Sequence, residues 1–149
     1  MASRKLDDLL PEVASMAREL LHRCAARGIT LLVTATYRSP EEQLALWMQG
    51  RAALADVNAQ RRAVGLAPIT AEENARRVTN AKPGQSLHEQ RRAFDVVPVR
   101  DVDADGDLDA EWGSPDWLTI GEQGERCGLE WGGRWPKKKR DRPHFQLKG

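Results

Sequence analysis

The chain is 149 residues long, a length that predicts one domain, residues 1–149, able to bury its own core without staples. Hydrophobic residues make up 40% and charged residues 30%, as in a water-soluble globular protein, and a formal net charge of +1 gives no global argument for a nucleic acid or a membrane as partner. No stretch approaches the roughly 20 apolar residues of a membrane span, and Met1-Ala2-Ser3-Arg4-Lys5 begins no signal peptide, so synthesis in the cytosol is expected.

Leu6, Leu9, Leu10, Val13, Met16, Ala17, Leu20, Leu21 and Cys24 recur at helical spacing and predict an amphipathic helix from Leu6 to Arg27. Pro11 either breaks it or marks its first turn, and Gly28 stops it. Ile29 to Thr36 is short and β-branched, the pattern of a buried strand. Ser39-Pro40-Glu41-Glu42 is a helix start, with Ser as cap and Pro at the first position, and the helix runs to Gly50. Residues 51–79 are polar and rich in Ala and Arg, and read as helical excursions covering one side of a cleft. Thr70-Ala71-Glu72-Glu73 is a capping box there, predicting a short helix over Ala71 to Arg77.

Ala93 to Pro98 is the next predicted strand, with Ala93, Asp95 and Val97 on one face and Phe94 and Val96 on the other. A helix is expected from Trp117 to Cys127, then a Gly/Trp loop from Leu129 to Trp135, then a strand from His144 to Leu147. On that strand Phe145 and Leu147 share one face and His144 and Gln146 the other. Cys24 and Cys127 lack any metal-ligand spacing and read as reduced, partly buried thiols, with a disulfide between them as the alternative.

The chemistry concentrates in two phrases, Ser86-Leu87-His88 to Asp95 and Asp141-Arg142-Pro143-His144. The chain has three histidines, and two of them fall here; His22 sits on the first helix and reads as a surface residue. Two imidazoles and a carboxylate, His88, Asp95 and His144, are a normal ligand set for a catalytic zinc that keeps one position open. Asp141, three residues before His144, stands where a general base would stand, with Glu130 a second carboxylate of the same region.

Three other signals stand beside that set. Asp101, Asp103, Asp105, Asp107 and Asp109, with Gly106 at the sixth position, resemble the start of an EF-hand loop, which makes Ca²⁺ a candidate regulator. The pattern departs at its end, where Glu111 falls one place early and Trp112 takes the twelfth position; an acidic surface loop with Asp-Gly turns is the alternative. Lys137-Lys138-Lys139-Arg140 is either a solvated loop or a rim that attracts anionic substrate. Trp131 and Trp135 either line a substrate groove or pack in the core.

Taken in order and spacing, several phrases resemble the zinc D,D-carboxypeptidase and L-alanyl-D-glutamate endopeptidase family, peptidase family M15, which includes many phage endolysins. They are Ala35-Thr36-Tyr37-Arg38-Ser39-Pro40-Glu41-Glu42-Gln43, Gln49-Gly50-Arg51, Val78 to Lys82, Ser86-Leu87-His88, Ala93 to Pro98, Gly128 to Gly133, and Asp141 to Phe145. The resemblance implies an α+β fold of the Hedgehog/D,D-peptidase-like kind, with helices flanking a small, mainly antiparallel sheet that carries the zinc site. It implies Zn²⁺ on His88, Asp95 and His144, Asp141 as general base, and Arg38 as the group that steadies the oxyanion. A capping or surface role is the alternative for Arg38. Ser86, Gln43 and Trp131 are then expected at the substrate, although Ser86 could instead hold the histidine. The implied substrate is bacterial peptidoglycan, cut between L-alanine and D-glutamate by a monomeric endolysin made in the host cytoplasm. The alternatives are a D-alanyl-D-alanine carboxypeptidase or dipeptidase of the same family, and a zinc-bearing binding module without catalysis.

Overall fold

A computed structural model describes residues 1–149 as an α+β structure with a small antiparallel sheet. Pro11 resolves the first expectation. Leu6–Asp8 form a single 3-10 turn, and helix α1 begins at Pro11 and ends at Ala25. Proline suits a first helical position because its missing N–H has no intrahelical partner there. The apolar stripe of α1 is buried along Val13, Ala14, Ala17, Leu20 and Cys24.

Strand β1 spans Thr30–Ala35. Helix α2 spans Pro40–Met48, and the Ser39 hydroxyl caps it by accepting from the Glu42 backbone N–H. Helix α3, Leu54–Ala63, and the single turn α4, Ala71–Asn74, make up the helical excursions; α4 carries the full Thr70–Glu73 capping box. It stops at Asn74, short of the predicted Arg77, where the Asn74 side chain instead ties the Gly50 N–H to the Ala52 carbonyl.

Strand β2 is the longest, Ala93–Arg100. It pairs with β1 on one edge and, on the other, with β3 (Asp109–Ala110) and with β5 (His144–Leu147). Helix α5, Trp117–Arg126, precedes β4, Leu129–Trp131, which pairs with β5 at the sheet's edge. The expected Gly/Trp loop is thus a three-residue strand followed by a 3-10 turn, Gly132–Arg134. Three residues are too few for alternation to show in sequence. No helix is long and apolar enough to cross a membrane.

The core lies between the sheet and the pair α1 and α5. Phe94 and Phe145 are fully buried, face each other across β2 and β5, and stack with ring centroids 5.7 Å apart. Each such ring contributes roughly 1.5–3 kcal/mol by burial, and a one-residue slip would turn both outward. That penalty locks the register, and the same register sets Asp95 directly opposite His144.

Candidate metal centre

Asp95 and His144 come from neighbouring strands, and His88 arrives from the turn-rich segment before β2. That segment is tied down on both sides of His88. Ser86 Oγ accepts from the His88 backbone N–H at 3.2 Å, and the Arg38 N–H donates to the His88 carbonyl at 3.3 Å. The pairing of β1 with β2 shifts register between Val33 and Ala35, opposite Asp95. Such bulges re-aim the chain beside functional sites. Here the chain continues into Thr36, whose carbonyl accepts from His88 Nδ1 at 2.8 Å. With Nδ1 donating, the His88 Nε2 lone pair points at the cluster.

His88 Nε2 lies 3.5 Å from Asp95 Oδ1, and His144 Nδ1 lies 3.2 Å from the same oxygen. One donor atom from each of the three residues falls within 4.8 Å of the others. Two ligands bonded tetrahedrally to zinc at about 2.0–2.1 Å sit about 3.3 Å apart. The two separations from Asp95 bracket that value, and the third pair lies within 4.8 Å, so the group can hold a tetrahedral ion with one position left open.

Electrostatics favour the same use. Burial pushes the Asp95 carboxyl up, but the hydrogen bond from His144 and the pull of both imidazoles outweigh it and hold the group well below the usual carboxylate range. His144 goes the other way: burial lowers it, and the bond to Asp95 more than restores it, so the imidazole sits above its ordinary value. Asp141 is raised, first by burial of its carboxyl and then by the negative charge of Asp95, while His144, His88 and Arg38 pull it back. The residue as a whole is exposed, so its carboxyl feels the charges of the cluster from the solvent-facing side. Its backbone is pinned, accepting from the His144 N–H at 3.2 Å and donating to the Gly132 carbonyl at 3.0 Å.

Arg38 follows β1 and is held from α2: Nη1 donates to Gln43 Oε1 at 3.1 Å, and Nε faces the Glu42 carboxylate at 3.5 Å without an aligned hydrogen bond. Its side chain is 17% exposed, which excludes a free surface arginine. Gln43 is expected at the substrate, but it is 1% exposed and its amide is used up by Arg38, the Ala81 carbonyl and Thr79 Oγ1. It therefore holds Arg38, and its burial and the use of both its N–H donors keep it from a ligand. Ser86, also buried, holds the histidine segment.

Trp131 corrects the groove expectation. It is 4% exposed, lies against Gly121 and Gly133, and donates Nε1–H to the Arg142 carbonyl, so it is a core residue. Trp135 is half-buried with its ring 5.2 Å from that of His144. Glu130 accepts from Trp135 and Gln146, which occupies the rival carboxylate. Lys137 to Arg140 are all exposed, just before Asp141.

In the acidic loop, Asp101, Asp103, Asp105 and Asp109 come together while Asp107 stays outside the group. Strands, not helices, flank it, and Glu111 forms a two-pronged ion pair with Arg100. The EF-hand pattern therefore ends at Asp109 and carries no calcium assignment. Sequence reasoning passed over Glu42 and Gln146. The only signal for Gln146 was its place on the His144 face of the strand.

Comparison with known proteins agrees with this geometry. A family model described as D-alanyl-D-alanine carboxypeptidase matches residues 79–147, the span that holds all three candidate ligands and Asp141. The peptidoglycan L-alanyl-D-glutamate endopeptidase CwlK of Bacillus subtilis is 30% identical over 147 residues, covering 94% of this chain and 74% of that protein. The fold matches the L-Ala D-Glu endopeptidase ChiX of Serratia marcescens with a TM-score of 0.56 at 22% identity, over 99% of this chain and 89% of that one. It also matches the vancomycin-resistance D,D-pentapeptidase VanY, solved in complex with Zn(II), with a TM-score of 0.59 at 20% identity, over 95% and 73%.

Proposed function

Because the chain belongs to the peptidoglycan-acting M15 peptidase family, we propose that it is a zinc-dependent L-alanyl-D-glutamate endopeptidase. The observation that carries the proposal is the His88–Asp95–His144 triangle, spaced for a tetrahedral ion, with Asp141 and Arg38 coupled to it. The choice of bond rests on the identity to CwlK.

In this reading His88 Nε2, Asp95 Oδ1 and His144 Nδ1 hold the ion. Bound there, zinc would supply Lewis-acid polarisation of a peptide carbonyl and a lowered pKa for water. Asp141 takes the proton of the attacking water and returns it to the leaving amine. A carboxyl raised above the usual range is better matched to that exchange than an ordinary aspartate. Arg38, braced by Gln43 and Glu42, directs its donors at the oxygen where negative charge develops. Bracing matters because donors already in place need no reorganisation as the barrier is crossed. The exposed Lys137–Arg140 run raises the local concentration of anionic stem peptides. The reading extends to a monomeric bacteriolytic enzyme of the phage endolysin kind, on the resemblance of its motifs.

The test is digestion of purified peptidoglycan with and without a chelator, followed by mass spectrometry of the fragments. New N-terminal D-glutamate, lost with chelator and restored by zinc, is the expected result. Release of D-alanine would move the activity to the carboxypeptidase reading, which the description of the matched family model favours. Zinc binding without cleavage of any wall type would leave a binding module.

A further inference from the structure

A chain of hydrogen bonds runs away from the metal-facing side of His144. His144 Nε2 meets Gln146 Oε1 at 2.8 Å, Gln146 Nε2 donates to Glu130 Oε2 at 3.0 Å, and Trp135 Nε1 donates to the same oxygen at 2.9 Å. Glu130 and Gln146 are directly paired residues of β4 and β5, so the sheet itself sets their spacing. We propose that Glu130, Gln146 and Trp135 form a relay that fixes the tautomer of His144 and thereby selects Nδ1 as its metal-binding atom. The proposal rests on reading His144 as a metal ligand.

The argument is one of donors and acceptors. An indole N–H only donates, so Glu130 Oε2 is an acceptor. It therefore attracts the NH₂ end of the Gln146 amide; the flipped amide would set a carbonyl oxygen against a carboxylate oxygen. That leaves Gln146 Oε1 facing His144, and a carbonyl oxygen only accepts. In its neutral, metal-binding form His144 therefore carries its proton on Nε2, and the Nδ1 lone pair is left for the cluster, where Nδ1 lies 3.2 Å from Asp95 Oδ1. His88 reaches the opposite assignment by the simpler route of a backbone carbonyl, with Nδ1 bonded to Thr36 and Nε2 facing inward. His144 has no such backbone partner: its outer nitrogen meets the Gln146 side chain. A side-chain relay replaces it. The tilted Trp135 ring, 5.2 Å from the His144 ring, also limits rotation of the imidazole. Glu130, Gln146 and Trp135 are positioning residues: none is needed at the substrate.

Two measurements test this. Long-range ¹H–¹⁵N spectra of the zinc-loaded, ¹⁵N-labelled wild type should show His144 protonated at Nε2 and ligated through Nδ1. In parallel, zinc affinity is measured by competition with a chromophoric chelator for Gln146→Met, which keeps length and removes the acceptor, and for Glu130→Gln, which frees the amide to turn over. Outer partners of metal-binding histidines are worth about 10–100-fold in affinity, and Gln146→Met should lose that much. Glu130→Gln should weaken binding in the same direction by less. Ligation through Nε2 in the wild type would overturn the relay whether or not a variant folds. So would a folded Gln146→Met that binds zinc as tightly as the wild type. A wild type that binds no zinc at all would overturn the metal reading itself, a distinguishable failure.

Discussion

Gly124→Ala is a small change that should cost stability although helix propensity favours it. Gly124 lies inside α5, and a Cβ built there would be 2.2 Å from Phe145 Cε1 and 2.6 Å from Cδ1. Carbon atoms in contact sit about 3.5–4.0 Å apart, so the ring or the helix must move by more than an ångström. Neither moves freely: Phe145 is fully buried, stacked on Phe94, and lies on a strand paired on both edges. Replacing Gly by Ala within a helix gains about 1 kcal/mol, whereas overpacking a tight core costs about 1–3 kcal/mol. The overlap is severe and anchored at both ends, which puts the cost at the upper end and leaves a net loss of about 2 kcal/mol. For a chain of this size that lowers Tm by about 4–8 °C. Calorimetry of the metal-free protein measures it, with Gly113→Ala as control, since nothing lies within 4 Å of a Cβ there. Because Phe145 follows His144 directly, zinc affinity should fall as well. A Tm equal to or above that of the wild type would refute the claim that this glycine exists to admit the ring.

Asp141→Ala should keep its zinc by elemental analysis while kcat falls by about 10²–10⁴-fold; loss of the metal, or retained turnover, would count against a general-base role. Arg38→Ala should cost about 10²–10³-fold in kcat with zinc retained, and Gln43→Ala should reproduce part of that loss if its task is to brace Arg38. In the metal-free protein, NMR titration should place His144 above the ordinary imidazole value, because the bond to Asp95 outweighs burial. A raised folded value stabilises fully below the unfolded pKa of about 6.5 and is lost as pH rises through the folded one, so the metal-free urea midpoint should drop on that rise. A midpoint that climbs over the same interval would contradict it. Replacing Lys137, Lys138, Lys139 and Arg140 with Gln should reduce kcat/KM at low salt, and the difference should vanish at high salt; equal rates at low salt would mean the run is only a solvated loop.

Much of the architecture was legible in the chain. The stripe of α1, the Ser39 and Thr70 caps and the β-branched runs of β1 and β2 are local signals, set by periods and by backbone groups a few residues away. The residues His88, Asp95, Asp141 and His144 stood out because their side-chain chemistry is rare and their order specific, and the fold brings the three candidate ligands within 4.8 Å. What the sequence could not show was who faces whom. Trp131 reads equally well as a groove or a core residue until Gly121 of α5 and Gly133 of the following turn admit it to the interior. Gln43 is a polar residue beside a candidate catalytic arginine, and only packing reveals that every atom of its amide is spent inside the protein. The β4 strand is too short to announce itself, yet its pairing with β5 sets Glu130 against Gln146 and so decides which nitrogen of His144 is free. Local periodicity and donor chemistry belong to the sequence because they depend on neighbours along the chain. Burial and hydrogen-bond partnership across 16 to 52 residues depend on the close-packed whole, and only the tertiary structure settles them.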